Sequence, residues 1–109
     1  MRIVISVLAI LFGGLHLIAG LSQSKSQDPA ARGFAIAMAC GGICVASEAV
    51  ANLVGSNPGW LDALACATGC LLICAAAYAN GSRSGNFHLS HHIVRALSAL
   101  LLTAGTAIW

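Results

Sequence analysis

The chain has 109 residues, of which 59% are hydrophobic and 7% charged. A soluble domain carries about 25% charged residues to keep its surface in water, and five basic and three acidic side chains are too few for that. The net charge of +2 comes from scattered Lys and Arg with no basic stripe, which excludes a nucleic-acid-binding surface of the usual kind.

A helix needs about 20 apolar residues to cross a hydrocarbon core of about 30 Å. The first such run is residues 3–21. Within it Ser6, Ala9, Gly13, His16 and Gly20 alternate at spacings of three and four. That seam of small or polar groups is a helix-packing face, and it points His16 into a bundle. By depth, His16 is expected near Tyr78 and Arg95 and far from Glu48. Met1-Arg2 followed by an apolar run also has the shape of a cleaved signal peptide, although the run is long for that role. Cleavage would leave three helices.

A polar connection, residues 22–32, contains Pro29, placed to start the next helix. The second apolar run is 33–54. There Cys40, Cys44, Glu48 and Asn52 recur at every fourth residue, with Ser47 beside Glu48. A tight turn, GSNPG at 55–59, leads to the third run, 60–79, where Asp62, Cys66, Cys70, Cys74 and Tyr78 repeat in the same way. Residues four apart share a helix face. A turn centred near Asn57 sets residue i opposite residue 114−i. This pairs Cys40 with Cys74, Cys44 with Cys70, Glu48 with Cys66, and Asn52 with Asp62. Gly41, Ala51, Ala63, Gly69 and Ala77 on the same faces let the two backbones approach. The last connection, 80–88, holds Gly81 and Gly85 as helix breakers, and the fourth run is 89–109.

Lipid leaves no backbone polar group unpaired without cost, so each run must be helical. The expected fold is all-α: an integral membrane four-helix transmembrane bundle, up-down-up-down, forming one domain over residues 1–109. Lys25, Arg32, Arg83 and Arg95 lie towards one side and Arg2 towards the other. The excess of positive charge places connections 22–32 and 80–88 in the cytoplasm and both termini outside, in a plasma or inner membrane. Trp60 and Trp109 then mark the outer interface, and Phe34, Tyr78 and Phe87 the inner one.

Glu48 is the sole Glu, and a carboxyl within a membrane span is a candidate functional group. With Asn52 and Asp62 on the outer side and His16 on the inner side it forms a candidate substrate or ion site. The bland alternative is a neutral carboxyl bonded to Ser47, Cys66 or a backbone carbonyl. The five cysteines, Cys40, Cys44, Cys66, Cys70 and Cys74, are odd in number and lie in apolar runs, unlike a secreted disulfide framework. They read as packing residues, or as soft-metal ligands or exchanging thiols. His88 and His92 are spaced to share a metal ion, yet no HExxH accompanies them. A solvated, pH-responsive histidine cluster is the alternative. No phosphate-binding glycine loop, GxSxG or CxxC is present. No organic cofactor is expected, and a soft metal ion is the one inorganic candidate.

The length and four-helix plan resemble those of the small multidrug resistance exporters. Their essential carboxylate lies in the first helix, where this chain has His16 and no acid, so that function does not carry over. Three roles remain. The first is a helix-packing accessory or structural subunit. The second is a small oligomeric transporter or channel subunit for an ion, metal or small solute that uses Glu48. The third is a membrane thiol-redox or metal-handling protein. An enzyme is not indicated. The expected partners are the lipid bilayer and either further copies of the chain or other membrane proteins.

Overall fold

The computed structural model describes residues 1–55, 59–85 and 87–108. These form four helices, α1 (Arg2–Gln23), α2 (Pro29–Val54), α3 (Gly59–Ser84) and α4 (Leu89–Ile108), with no strand among the described residues. Each helix is long and apolar enough to cross a membrane. The expected centre of the 55–59 turn at Asn57, and Trp109, lie outside the described residues.

Two helices extend beyond their apolar runs. Asp28 caps α2, its Oδ1 accepting the Ala30 N–H at 3.2 Å, and Pro29 follows with no N–H to satisfy. The second helix therefore begins at Pro29 and not at residue 33. The third continues past residue 79 through Gly81, which is not a breaker here, to Ser84. Gly85, at φ 76°, lies immediately beyond it. Apolar composition reports which residues suit lipid, whereas capping groups decide where backbone hydrogen bonds start and stop. Gly55, at φ 68°, closes α2 by donating its N–H to the Ala51 and Asn52 carbonyls.

Helix α2 lies between α1 and α3, while α4 packs on α3 and more lightly on α1. Glycines bring the backbones of the first three helices together. A Cβ at Gly13 would stand 2.6 Å from the Gly42 carbonyl oxygen, and one at Gly41 would stand 2.8 Å from that of Gly69. As α1 advances from Gly13 to Gly20, its contact on α2 retreats from Gly42 to Ala35, so the two run antiparallel. Gly41 meets Ile73 and Gly69 meets Val45, which reproduces the 114−i register across α2 and α3.

The expected stripe of spacing four needs correction. The buried line on α2 is Met38, Gly41, Val45, Glu48 and Asn52, and on α3 it is Asp62, Cys66, Gly69, Ile73 and Ala76. These alternate three and four, matching 3.6 residues per turn. Steps of four overrun the face by about 40° each. Cys40 and Cys44 are consequently exposed, as is Tyr78.

The packing is inverted relative to a water-soluble bundle. Ser6, Glu48, Asn52, Asp62 and Thr106 are buried, while Leu15, Ile18, Leu71, Leu100 and Leu101 point outward. Small residues such as Ala9, Ala35 and Ala49 supply much of the core. Two polar contacts tie the ends. The Arg83 guanidinium grips both carboxylate oxygens of Asp28, which joins connections 22–32 and 80–88 at one end of the bundle. At the other end Arg2 donates from Nε to the Asn52 carbonyl at 3.0 Å, covering the C-terminus of α2.

Gly13→Ala should destabilise the protein by about 1–3 kcal/mol, because the methyl meets backbone that cannot yield. Gly14→Ala should be near neutral, since nothing stands within 4 Å of that position. Denaturant unfolding in detergent compares the two, and equal losses would disprove the close α1–α2 approach. Arg83 and the Ala30 N–H hold the Asp28 carboxyl below its usual range. A lowered carboxyl contributes stability that is full above about pH 4 and is lost as pH falls through the lowered value. The stability difference between wild type and Arg83→Gln should therefore shrink on acidification. A difference independent of pH would remove the pair from the stability of the fold.

Candidate functional site

The chemistry-bearing residues separate into two centres at opposite halves of the bundle. The first lies between α2 and α3. Glu48 takes its place there because it falls on the buried line with Val45 and Asn52. Asp62 sits in the first turn of α3, where the helix dipole favours an acid. Both are buried, at 5% and 2% exposure. Glu48 lies within electrostatic reach of Asp62 and Cys66. Among the described residues, neither Glu48 oxygen has a hydrogen-bond partner, nor has Oδ1 of Asp62.

The hydroxyls nearby are engaged elsewhere. Ser47 donates to the Cys44 carbonyl at 3.1 Å, and Thr68 to the Leu64 carbonyl at 2.8 Å. Ser47, one of the partners that the alternative reading offered Glu48, is thus bonded to the backbone instead. A groove of about 620 Å³ opens over the acids, lined by Cys44, Ser47, Glu48, Ala51, Asp62 and Thr68. Asn52 is buried one turn along α2 but does not line this groove, so the structure brings Glu48 and Asp62 together there without it.

The second centre surrounds His16 on α1 and Arg95 on α4. Arg95 Nε donates to His16 Nε2 at 3.1 Å. A guanidinium only donates, so Nε2 accepts. The proton of this neutral imidazole then sits on Nδ1, which donates to the Phe12 carbonyl at 2.7 Å. Arg95 is thus the neighbour expected for His16, but Tyr78 is not. The Tyr78 ring stands against Phe87 and His92, with centroids 5.3 and 5.7 Å away.

His88 and His92, the pair expected on one metal, both line a cleft at this end of the bundle but make different ring contacts. His88 faces His91 at 5.6 Å, while His92 stacks on Phe87 at 4.5 Å and lies 3.4 Å from Arg95 Nη1. All five cysteines are free thiols. Cys66 and Cys70 are buried, and Thr103 of α4 reaches the Cys66 sulfur at 4.0 Å. Among the described residues no three His, Cys, Asp or Glu side chains come together as metal ligands. Thr103 is not marked by the sequence pattern, whereas Ser6, a member of the α1 packing seam, is buried with a hydroxyl that has no partner among the described residues. Thr103 sits on a helix whose rotation only α3 decides, and Ser6 reads simply as a small residue.

No family model, characterised protein or solved structure matches this chain. The site must therefore be read from its own chemistry. Both Glu48 oxygens and Oδ1 of Asp62, unpartnered among the described residues, are groups that a proton or a cation would satisfy, because an unpaired buried charge is costly. Burial orders the thiols in reactivity. In detergent an apolar maleimide should modify Cys40 and Cys44 well before Cys66 and Cys70, as read by peptide mass. Equal labelling would contradict the helix rotations described above.

Proposed function

We propose that this chain is an integral membrane protein, inserted up-down-up-down, whose α2–α3 groove binds a proton or another cation as part of a small transporter or channel subunit. The observation that carries the reading is the pair of buried acids, Glu48 and Asp62, with oxygens unpartnered among the described residues and a groove opening above them. A single charged residue near the centre of a span costs about 2.5–3.5 kcal/mol on insertion. A buried Glu48 that served only as packing would be an expensive choice where Ala or Leu would do. Outward leucines and inward polar groups support the membrane placement. Lys25, Arg32 and the Asp28–Arg83 pair gather at one end, which is assigned to the cytoplasmic face of a plasma or inner membrane. Both termini then lie outside, and the acid groove is in the outer half.

The helix-packing role stands as the second reading. Gly14 and Gly33 have open space beyond them, and Cys40 and Cys44 are exposed. Such small residues on an outer surface let another helix, from a second copy or a different membrane protein, come close. In that role Glu48 would be met by a donor from the partner.

Flux separates the two. Proteoliposomes loaded with a pH-sensitive dye should report proton movement with the wild type. Glu48→Gln should reduce it roughly tenfold or more while helix content is kept. Full flux in that variant removes Glu48 from the mechanism. No flux in either protein, together with a copurifying membrane partner, favours the packing role.

A further inference from the structure

We propose that the cleft at the opposite end of the bundle is a binding site for a phosphate group, with Arg95 as its principal ligand. The cleft has a volume of about 780 Å³ and is lined by His16, Asn80, His88, His91, His92 and Arg95, among others. Arg95 has no carboxylate partner among the described residues, where the ion pair is Arg83 with Asp28. Its contacts are imidazole nitrogens, His16 Nε2 at 3.1 Å and His92 Nδ1 at 3.4 Å. A guanidinium carries five N–H donors in a planar fork. Two contacts to neutral rings hold the fork in place without cancelling its charge.

The surroundings add donors and positive potential. Because Arg95 approaches Nδ1 of His92 as a donor, that nitrogen accepts and Nε2 carries the hydrogen. His88, His91 and His92 lie at the start of α4, where the positive end of the helix dipole falls. Acids are scarce here. The chain has three, of which Glu48 and Asp62 belong to the other groove, while Asp28 is occupied by Arg83. A planar fork, imidazole N–H groups, a helix N-terminus and an uncompensated positive field together match a tetrahedral oxyanion. The proposal is independent of cation binding at Glu48, since it concerns separate residues and is tested by binding alone.

Phosphate can come from solution or from a lipid headgroup. The protein is purified in maltoside detergent, which contains no phosphate, and titrated with inorganic phosphate and separately with micelles doped with phosphatidic acid. Saturable heat with both probes, weakened roughly tenfold or more in Arg95→Gln and unchanged in Arg83→Gln, supports a general phosphate site. The same pattern with phosphatidic acid alone identifies the source as lipid. Should Arg95→Gln fail to fold, His92→Gln should weaken binding severalfold with the helices intact. Absence of binding by either probe, or equal binding by wild type and a folded Arg95→Gln or His92→Gln, overturns the proposal.

Discussion

Glycine backbones set the distances on which the rest of this structure depends. Gly13 against Gly42 and Gly41 against Gly69 hold α2 close to both neighbours, at separations where an added Cβ would stand under 3 Å from a carbonyl oxygen. Where the glycines meet, the backbones leave no room for a further side chain, and most of the leucines and isoleucines point outward, Ile73 and Leu102 being buried exceptions. Gly, Ala and Cys make up much of the interior beside Met38, Val45 and Ile73, along with the acids that lie on the same seam. The burial of Glu48 and Asp62 thus follows from helix packing before any question of function arises.

Polarity is divided along the long axis of the bundle, which extends 41 Å. One half carries the acid groove, and the other carries Arg95 with His16 and His92. The two centres differ in how their groups are satisfied. Arg95 is bonded by acceptors that leave its charge intact, whereas Glu48 meets no donor among the described residues. Contacts between helices combine small residues and thiols with Met38, Val45, Ile73 and Leu102.

Much of the fold was legible in the sequence. The four apolar runs became four helices, and the register around the second turn was recovered by Gly41 with Ile73 and Gly69 with Val45. The seam on α1 alternates three and four, and there Ser6, Ala9, Gly13 and Gly20 are buried while His16 is half-buried. The stripes on α2 and α3 were misread because residues four apart look like one face over two turns and drift off it over four. That drift is why Cys40 and Cys44 are exposed while Glu48 is buried. The contact of Arg95 with His16 followed from depth alone, since both lie the same distance from one end of the bundle.

Composition and spacing determined that the chain is helical, how many apolar segments it has, and which residues could bear charge inside them. These are properties of short stretches, governed by backbone hydrogen bonding and by the period of the helix. Tertiary structure decided which polar groups meet. It left Ser47 bonded to a carbonyl of its own helix, stacked His92 on Phe87, brought Thr103 to Cys66, and set Asp62 within electrostatic reach of Glu48. Each of those outcomes turns on how far one helix is rotated against another, and a rotation of a few tens of degrees changes a side chain's neighbour without altering the pattern that placed it on the helix.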